Sequence, residues 1–404
     1  MGTQGMHATS DRTVLVVFGT RPEIVKLMPL VRALEATSGV RPVTCLFRQH
    51  RLIADQTLAA FGYTPTYAVP ISLSDQALFA PGVGLLRKLA TLMGSGIGFF
   101  RFLMILRRER PAVIVVQGDT STAFLAAFLS FHLKVPIAHV EAGLRTYDKY
   151  RPFPEEANRR LIGAIADLHF APTAGARENL LSEHVPADRI WVVGNTDIDA
   201  VRLVAERVRH PDVAASWERW FSDRHGIVLK GKRLVLVTAH RRESFGEGLE
   251  RICEALRDLA ASPRNIQIVY PVHPNPNVRG AVHAALKGVP GIALISPLAY
   301  EPFTFLMDRA ELILTDSGGI QEEASFLGKP VLVMRTETER PEVVAAGAAA
   351  LIGTDRARIV DAANRLLDDT AAREAMGRPR TLFGDGHAAE AIAKILTETK
   401  NAKQ

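Results

Sequence analysis

The sequence predicts an α/β protein made of two parallel sheets, each with helices on both faces. Three observations carry that expectation. Apolar β-branched runs alternate with helical patterns, the alternation restarts after a charged helical stretch near the middle, and the residues just after the runs are polar, acidic or glycine-bearing. A run that is apolar at every position belongs to a strand covered on both faces, as in a parallel sheet between two helical layers.

In chain order, the first series of runs is 14–18, 112–116, 136–140 and 190–193. The second is 233–237, 266–270, 292–295, 312–314 and 330–333. Between them, residues 197–232 read as helical and charged, with a break at His210-Pro211 and Gly231 ahead of the new strand. The boundary is therefore expected near Asn195, giving a first domain of 1–195 plus 387–404 and a second of 196–386. The last stretch, 388–397, sets Ala391, Ile392, Ile395 and Leu396 on one helical face and is expected to return to the first domain.

Composition narrows the class of function. A chain of 404 residues with 47% hydrophobic content exceeds one core and suffices for two. Its two cysteines, Cys45 and Cys253, stand in no CxxC or Cys/His cluster, so a reducing compartment and buried thiols are expected. The net charge is +6, but the basic residues are dispersed and aromatics are only 7%, which favours an anionic small ligand over a nucleic-acid track. Residues 1–10 hold no apolar signal core. The apolar region 78–106 is broken by Arg87, Lys88 and Arg101, and its longest charge-free piece, 89–100, is too short to span a bilayer. Arg101, Arg107, Arg108 and Arg110 around it would suit a membrane surface or an oligomer contact, although a core helix with a solvated end is preferred. A cytoplasmic protein without membrane insertion is expected.

Open parallel sheets bind ligands beyond the carboxyl ends of their strands. After the first run comes Gly19-Thr20-Arg21-Pro22-Glu23, with Lys26 a turn later. Arg21 and Lys26 would flank a helix N-terminus, either as an anion site or as solvated helix charges. Thr315-Asp316-Ser317-Gly318-Gly319 follows a run of the second series. Its paired glycines would let backbone amides approach a phosphate, with Glu323 placed for ribose hydroxyls, unless Ser317 is simply an N-cap and the glycines serve the turn. Carboxylates stand at Asp119, Glu141 and Glu155. Converging acids shift one another's proton affinity and can divide acid and base roles, although Glu155 and Glu156 behind Pro154 would also suit a helix dipole. His240 and His273 end successive strands of the second series, which suggests substrate contacts; no third ligand stands at a metal spacing, so no metal is expected. Gly384-Asp385-Gly386-His387-Ala388-Ala389 matches the dinucleotide spacing but follows no convincing strand and has no βαβ unit after it, and reads as a helix-capping turn.

Five segments together give the chain a family resemblance: Phe18-Gly-Thr-Arg-Pro-Glu23, His139-Val-Glu-Ala-Gly-Leu-Arg-Thr146, Pro152-Phe-Pro-Glu-Glu-Ala-Asn-Arg159, His240-Arg-Arg-Glu-Ser-Phe245 and Thr315-Asp-Ser-Gly-Gly-Ile-Gln-Glu-Glu323. From about Val14 to Ala391 it resembles the bacterial non-hydrolysing UDP-N-acetylglucosamine 2-epimerases. The resemblance implies two Rossmann-like, doubly wound domains in a GT-B-like arrangement with the ligand in the cleft between them, and UDP held mainly by the second. Arg21, Ser317, Gly318 and Gly319 would meet the diphosphate, Glu323 the ribose and Phe303 the uracil region, with Lys26, His240 and Arg340 completing the pocket. Asp119, Glu141 and Glu155 match the family's acid/base positions. The implied reaction inverts C2 of UDP-N-acetylglucosamine by elimination and re-addition of UDP through a bound glycal, with no cofactor and no metal, in a homodimer feeding surface polysaccharide synthesis. Some members bind a second UDP-sugar near positions matching Gln49, His50 and His273; Arg48 departs from the family there, as do Ser244 and Arg151 at their sites. The choice between N-acetylglucosamine and a 2,3-diacetamido-glucuronic acid relative stays open. A glycosyltransferase, a hydrolysing epimerase and a non-catalytic nucleotide-sugar binder are the rivals, and three strand-end acids separate the epimerase from them.

Overall fold

Continuous burial along single strands shows how the sequence builds its layers. The computed structural model describes residues 11–48, 51–70, 85–241 and 244–399. The chain divides into two units, Met1–Ala200 with Gly384–Gln404, and Val201–Phe383. Each is an α/β unit around one parallel sheet, the fold class expected from the sequence.

In the first unit, seven strands lie in the order β3-β2-β1-β4-β5-β6-β7. They are β1 (Arg12–Phe18), β2 (Val40–Phe47), β3 (Tyr67–Val69), β4 (Val113–Gln117), β5 (Ile137–Val140), β6 (Leu168–Ala171) and β7 (Ile190–Val192). Val14, Val16 and Phe18 face one core with Ile24, Leu27 and Met28 of the helix Arg21–Glu35. Leu15 and Val17 face the other, with Phe102 and Leu106 of the helix Leu85–Glu109. Both faces are covered, so the strand is apolar without alternation. Three strands of this sheet escape the pattern search: β2 carries Arg41-Pro42, β3 is three residues long, and β6 is four residues with His169 among them.

The second unit has six strands in the order β10-β9-β8-β11-β12-β13. They are β8 (Arg233–Thr238), β9 (Ile266–Pro271), β10 (Ile292–Ile295), β11 (Leu312–Thr315), β12 (Val331–Val333) and β13 (Ala349–Leu351). Val235 and Val237 pack with Ile252 and Leu256 of the helix Glu247–Ala260 and with Ile359 and Leu366 of the helix Arg356–Asp368. β13, with two alanines in three residues, has too little apolar signal to be read from sequence. The expected break at His210 is present, between the helices Thr196–Arg209 and Pro211–His225. Cys45 and Cys253 are free and buried. Among the described residues no helix is long and apolar enough to cross a membrane; the helix Leu85–Glu109 buries Phe102, Ile105 and Leu106 instead.

The helix Ala388–Glu398 packs on the helix Arg21–Glu35 within the first unit. Its buried face is Ala389, Ile392, Ala393 and Leu396, with Ala391 and Ile395 only partly covered, a rotation from the face read in the sequence. The preceding turn has Gly384 at φ +111° and Gly386 at φ +87°, in keeping with a capping turn. The helix receives its cap from far away in sequence. Asp199, 1% exposed, accepts hydrogen bonds from the Ala388 and Ala389 amides at 3.2 and 2.7 Å. Asp199→Ala leaves two buried N–H groups without that acceptor and is expected to cost about 2 kcal/mol. Urea unfolding together with hydrogen exchange over 388–398 measures this, and unchanged stability would refute the distal cap.

Candidate active site

The order of each sheet reverses at one place, between β1 and β4 in the first unit and between β8 and β11 in the second. Helices leave toward opposite faces there, so a crevice opens beyond the carboxyl ends of those strands. The candidate residues cluster at both reversals.

In the first unit, β1 runs into the N-terminus of the helix Arg21–Glu35. Thr20 is the N-cap, Arg21 the first helical residue and Pro22 the second. Glu23 is fully buried. Its Oε2 accepts from the Gly19 and Thr20 amides at 3.0 and 2.7 Å, and its Oε1 accepts from the Thr120 hydroxyl at 2.7 Å. Burial raises its pKa in spite of those bonds. The carboxylate thus ties the turn after β1 to the turn after β4. Lys26 faces Glu141 at 2.8 Å and Asp197 at 3.6 Å, which places this cation among the acids.

Asp119 follows β4. Its carboxylate receives Arg159 Nε and Nη2 at 2.7 and 2.6 Å, and Asn158 Nδ2 donates to its carbonyl at 2.9 Å. Burial would lower the Arg159 pKa; the Asp119 charge reverses this and raises it. Glu141 follows β5, is 9% exposed, and takes the left-handed φ of +64°. A non-glycine residue there stores strain, which is held most often at functional positions. Gln117 Nε2 donates to its Oε2. Glu155 opens the helix Glu155–Ile165, on the face that carries Asn158 and Arg159 one turn later. Its neighbour Glu156, with no exposure, accepts from the Thr146 and Tyr147 amides at 3.0 and 3.2 Å and holds the loop.

In the second unit, His240 lies two residues beyond the end of β8 and Asp316 directly follows β11. Asp316 is fully buried, and its Oδ2 accepts from the His240 and Arg241 amides at 2.6 and 2.7 Å. His240 Nδ1 lies 3.3 Å from Asp316 Oδ1, and the imidazole stacks on His273 with centroids 5.2 Å apart. Burial, then the His240 charge, lowers the His273 pKa. Ser317 occupies the N-cap of the helix Gly318–Leu327 but makes no side-chain cap bond, so the capping explanation for the serine is not realised. Gly318 has no left-handed φ. A Cβ on it would lie in ordinary contact with Arg340, 3.8 Å from Cζ, so the arginine packs directly over this helix start. Arg340 Nε donates to Glu322. Glu323 Oε1 accepts from the Tyr300 hydroxyl at 2.9 Å, and Phe303 is half-buried on the same helix as Tyr300. Gln49 and His50 lie outside the described residues. Among the described residues, no group of three His, Cys, Asp or Glu side chains is placed to hold a metal ion.

A family model described as UDP-N-acetylglucosamine 2-epimerase matches residues 32–397. The chain belongs to that epimerase family. The UDP-N-acetylglucosamine 2-epimerase of Yersinia pestis is 48% identical over 384 residues, covering 95% of this chain and 98% of that protein. The Escherichia coli K12 enzyme of the same name is 46% identical, with 96% and 98% covered. Among solved structures, the Neisseria meningitidis UDP-GlcNAc 2-epimerase bound to UDP-GlcNAc superposes with a TM-score of 0.84 at 37% identity, covering 96% of this chain and 100% of that one. Within this epimerase fold, sequence reasoning passed over Gln117, Asn158, Arg159 and Asp197 as partners of the acids. The i+3 and i+4 spacing of Asn158 and Arg159 from Glu155 is the signal that would have found two of them.

Two histidines near these acids set a pH dependence. His139 and His169 are register partners on β5 and β6, each 1% exposed. Burial pushes their pKa values down to about 3 and about 4. Unfolded, each returns to an ordinary value near 6.5 and binds a proton that the folded state refuses. Their contribution is complete above about pH 6.5 and is lost as pH falls toward 4. The urea midpoint of His169→Phe is therefore expected to fall less steeply from pH 7 to 4.5 than that of the parent, since the comparison cancels the carboxylates common to both. Parallel slopes would refute it.

Proposed function

We propose that the chain catalyses reversible C2 epimerisation of UDP-N-acetylglucosamine to UDP-N-acetylmannosamine. The observation that carries this reading is the set of acids in the first unit: Asp119 after β4 against Arg159, Glu141 after β5 against Lys26, and Glu155 on the helix that carries Arg159. Removal of the C2 proton forms the C1–C2 double bond as the C1–O bond breaks and its electron pair leaves with UDP. Re-addition of UDP at C1 and protonation of C2 from the other face give the epimer. The C2 proton is a poor acid, so departure of UDP must be stabilised as it happens.

We assign the diphosphate side to the second unit. The helix N-terminus at Ser317-Gly318-Gly319 offers amides and the positive end of its dipole, and Arg340 adds a full charge. Glu323 would take the ribose and Phe303 the uracil region. Arg21 would add charge to the diphosphate, and His240 and Lys26 would complete the pocket. Asp119, Glu141 and Glu155 carry the proton chemistry, with no cofactor or metal in any step. Cytoplasmic action as a homodimer in surface polysaccharide synthesis, and a UDP-sugar contact at His273, belong to the same proposal. Self-association is supported by Ile97, Phe100 and Met104, exposed at helical spacing, with Phe128 and Phe131 exposed on the adjoining helix Ser121–His132.

Incubation with UDP-N-acetylglucosamine in deuterated water, followed by NMR, is expected to show both epimers with deuterium at C2. Product without C2 deuterium would sink the mechanism, and accumulating free N-acetylmannosamine would point to hydrolysis. Asp119→Asn is expected to lower kcat by about 10²-fold or more while UDP affinity by calorimetry stays within about twofold. An equal loss of UDP affinity would mean that Asp119 binds rather than catalyses.

A further inference from the structure

His139 is buried, titratable and unused by the reaction as assigned. It stands within β5, where a leucine or phenylalanine would bury more apolar surface and bring no polar atom of its own. Its Nε2 lies 2.7 Å from the carbonyl oxygen of Gly118, so Nε2 carries the hydrogen and donates it. Its Nδ1 is buried and has no hydrogen-bond partner among the described residues. A buried lone pair without a partner is unfavourable, and the hydrogen bond from the donor on the other side of the ring offsets it.

The acceptor stands at a sensitive place. The β4–β5 ladder ends with the Gly118 amide donating to Val140 at 2.9 Å, and the chain then turns through Gly118 at φ +69°. That turn sends the Gly118 carbonyl out of the ladder and presents Asp119. A Cβ on Gly118 would come 3.8 Å from Glu141 Oε2, so the peptide abuts a second acid. The next carbonyl, that of Asp119, is held by Asn158, and the hydroxyl of Thr120 is held by Glu23. The His139 bond fixes the carbonyl of the peptide that joins Gly118 to Asp119.

We propose that His139 is a positioning residue for the epimerisation, its Nε2–H holding the Gly118–Asp119 peptide so that the Asp119 carboxyl meets the substrate at a fixed angle. The proposal rests on the reading of Asp119 as an acid/base group. With a pKa pushed down to about 3, the imidazole stays neutral at working pH and carries no proton to substrate.

The test compares side chains that differ in where they place an N–H. In His139→Gln the amide nitrogen takes the place of Nε2 and reaches the Gly118 carbonyl; in His139→Asn it falls one methylene short; in His139→Phe the ring remains and the donor is gone. Kinetics with UDP-N-acetylglucosamine are expected to show the Gln variant within about threefold of the parent. The Asn and Phe variants should lose about ten- to hundredfold in kcat, with KM and UDP affinity within about twofold, because a small misplacement of a catalytic group costs rate rather than binding. Thermal unfolding of all three checks folding, and the Gln–Asn pair decides even if Phe is not tolerated. Asn as fast as Gln, or a loss confined to KM, overturns the proposal. So does disappearance of a limb of the pH–rate profile in the Gln variant, since His139 would then be a proton carrier. In an Asp119→Asn background, His139→Asn should cost nothing further, and a multiplicative loss would also overturn it. A fully active Asp119→Asn faults the assignment of Asp119 itself, a result separate from the Gln–Asn comparison.

Discussion

The feature on which the rest depends is the reversal of strand order in each parallel sheet. Nothing in the local chemistry of Asp119 or Ser317 would distinguish them from ordinary loop residues. β4 and β11 each pair with the first strand of their sheet, β1 and β8, and the helices beyond those pairs depart to opposite faces. Backbone amides and side chains are thereby gathered where no helix covers them. The apolar runs serve this arrangement indirectly, by burying both faces so thoroughly that the strand ends are fixed in space.

Fixing the ends leaves a second problem, since polar groups concentrated at a crevice must be satisfied without being neutralised. The first unit solves it with a chain of single-purpose contacts. Glu23 joins two turns, Asn158 and Arg159 hold Asp119, and Gln117 with Lys26 holds Glu141. The second unit uses one buried carboxylate, Asp316, to gather the amides that follow β8. In both cases a carboxylate organises backbone, and a cation is placed against a different carboxylate. The result is a polar network whose members hold one another in place rather than a set of independent pairs.

Much of this was legible in the sequence, and the parts that were not have specific causes. Long runs such as 14–18 and 233–237 announced buried strands, and His210-Pro211 announced the helix break. β3, β6 and β13 carry at most one β-branched residue each, where strands as short as β7 and β12 carry two, and β2 was disguised by Arg41-Pro42. For the site, positions after strands were visible because strand ends are visible. What escaped was the identity of partners. Lys26 looked like an anion-binding cation and faces two acids, Glu323 looked open to a ribose and also takes the Tyr300 hydroxyl, and Arg159, given no role from sequence, clamps Asp119. Such pairings depend on register and packing between segments far apart in sequence, which periodicity does not encode.

The tie between Asp199 and the amides of Ala388 and Ala389 has a consequence for how the protein is made. The helix Ala388–Glu398 supplies Ile392 and Leu396 to the core under β1, yet it leaves the ribosome only after the whole of Val201–Phe383 has been synthesised. The first sheet therefore waits, with that strip of core uncovered, through the translation of about 190 residues, at several residues per second. Its early strands are born with an apolar surface that a chaperone or the nascent chain itself must shield until the last helix arrives to close it.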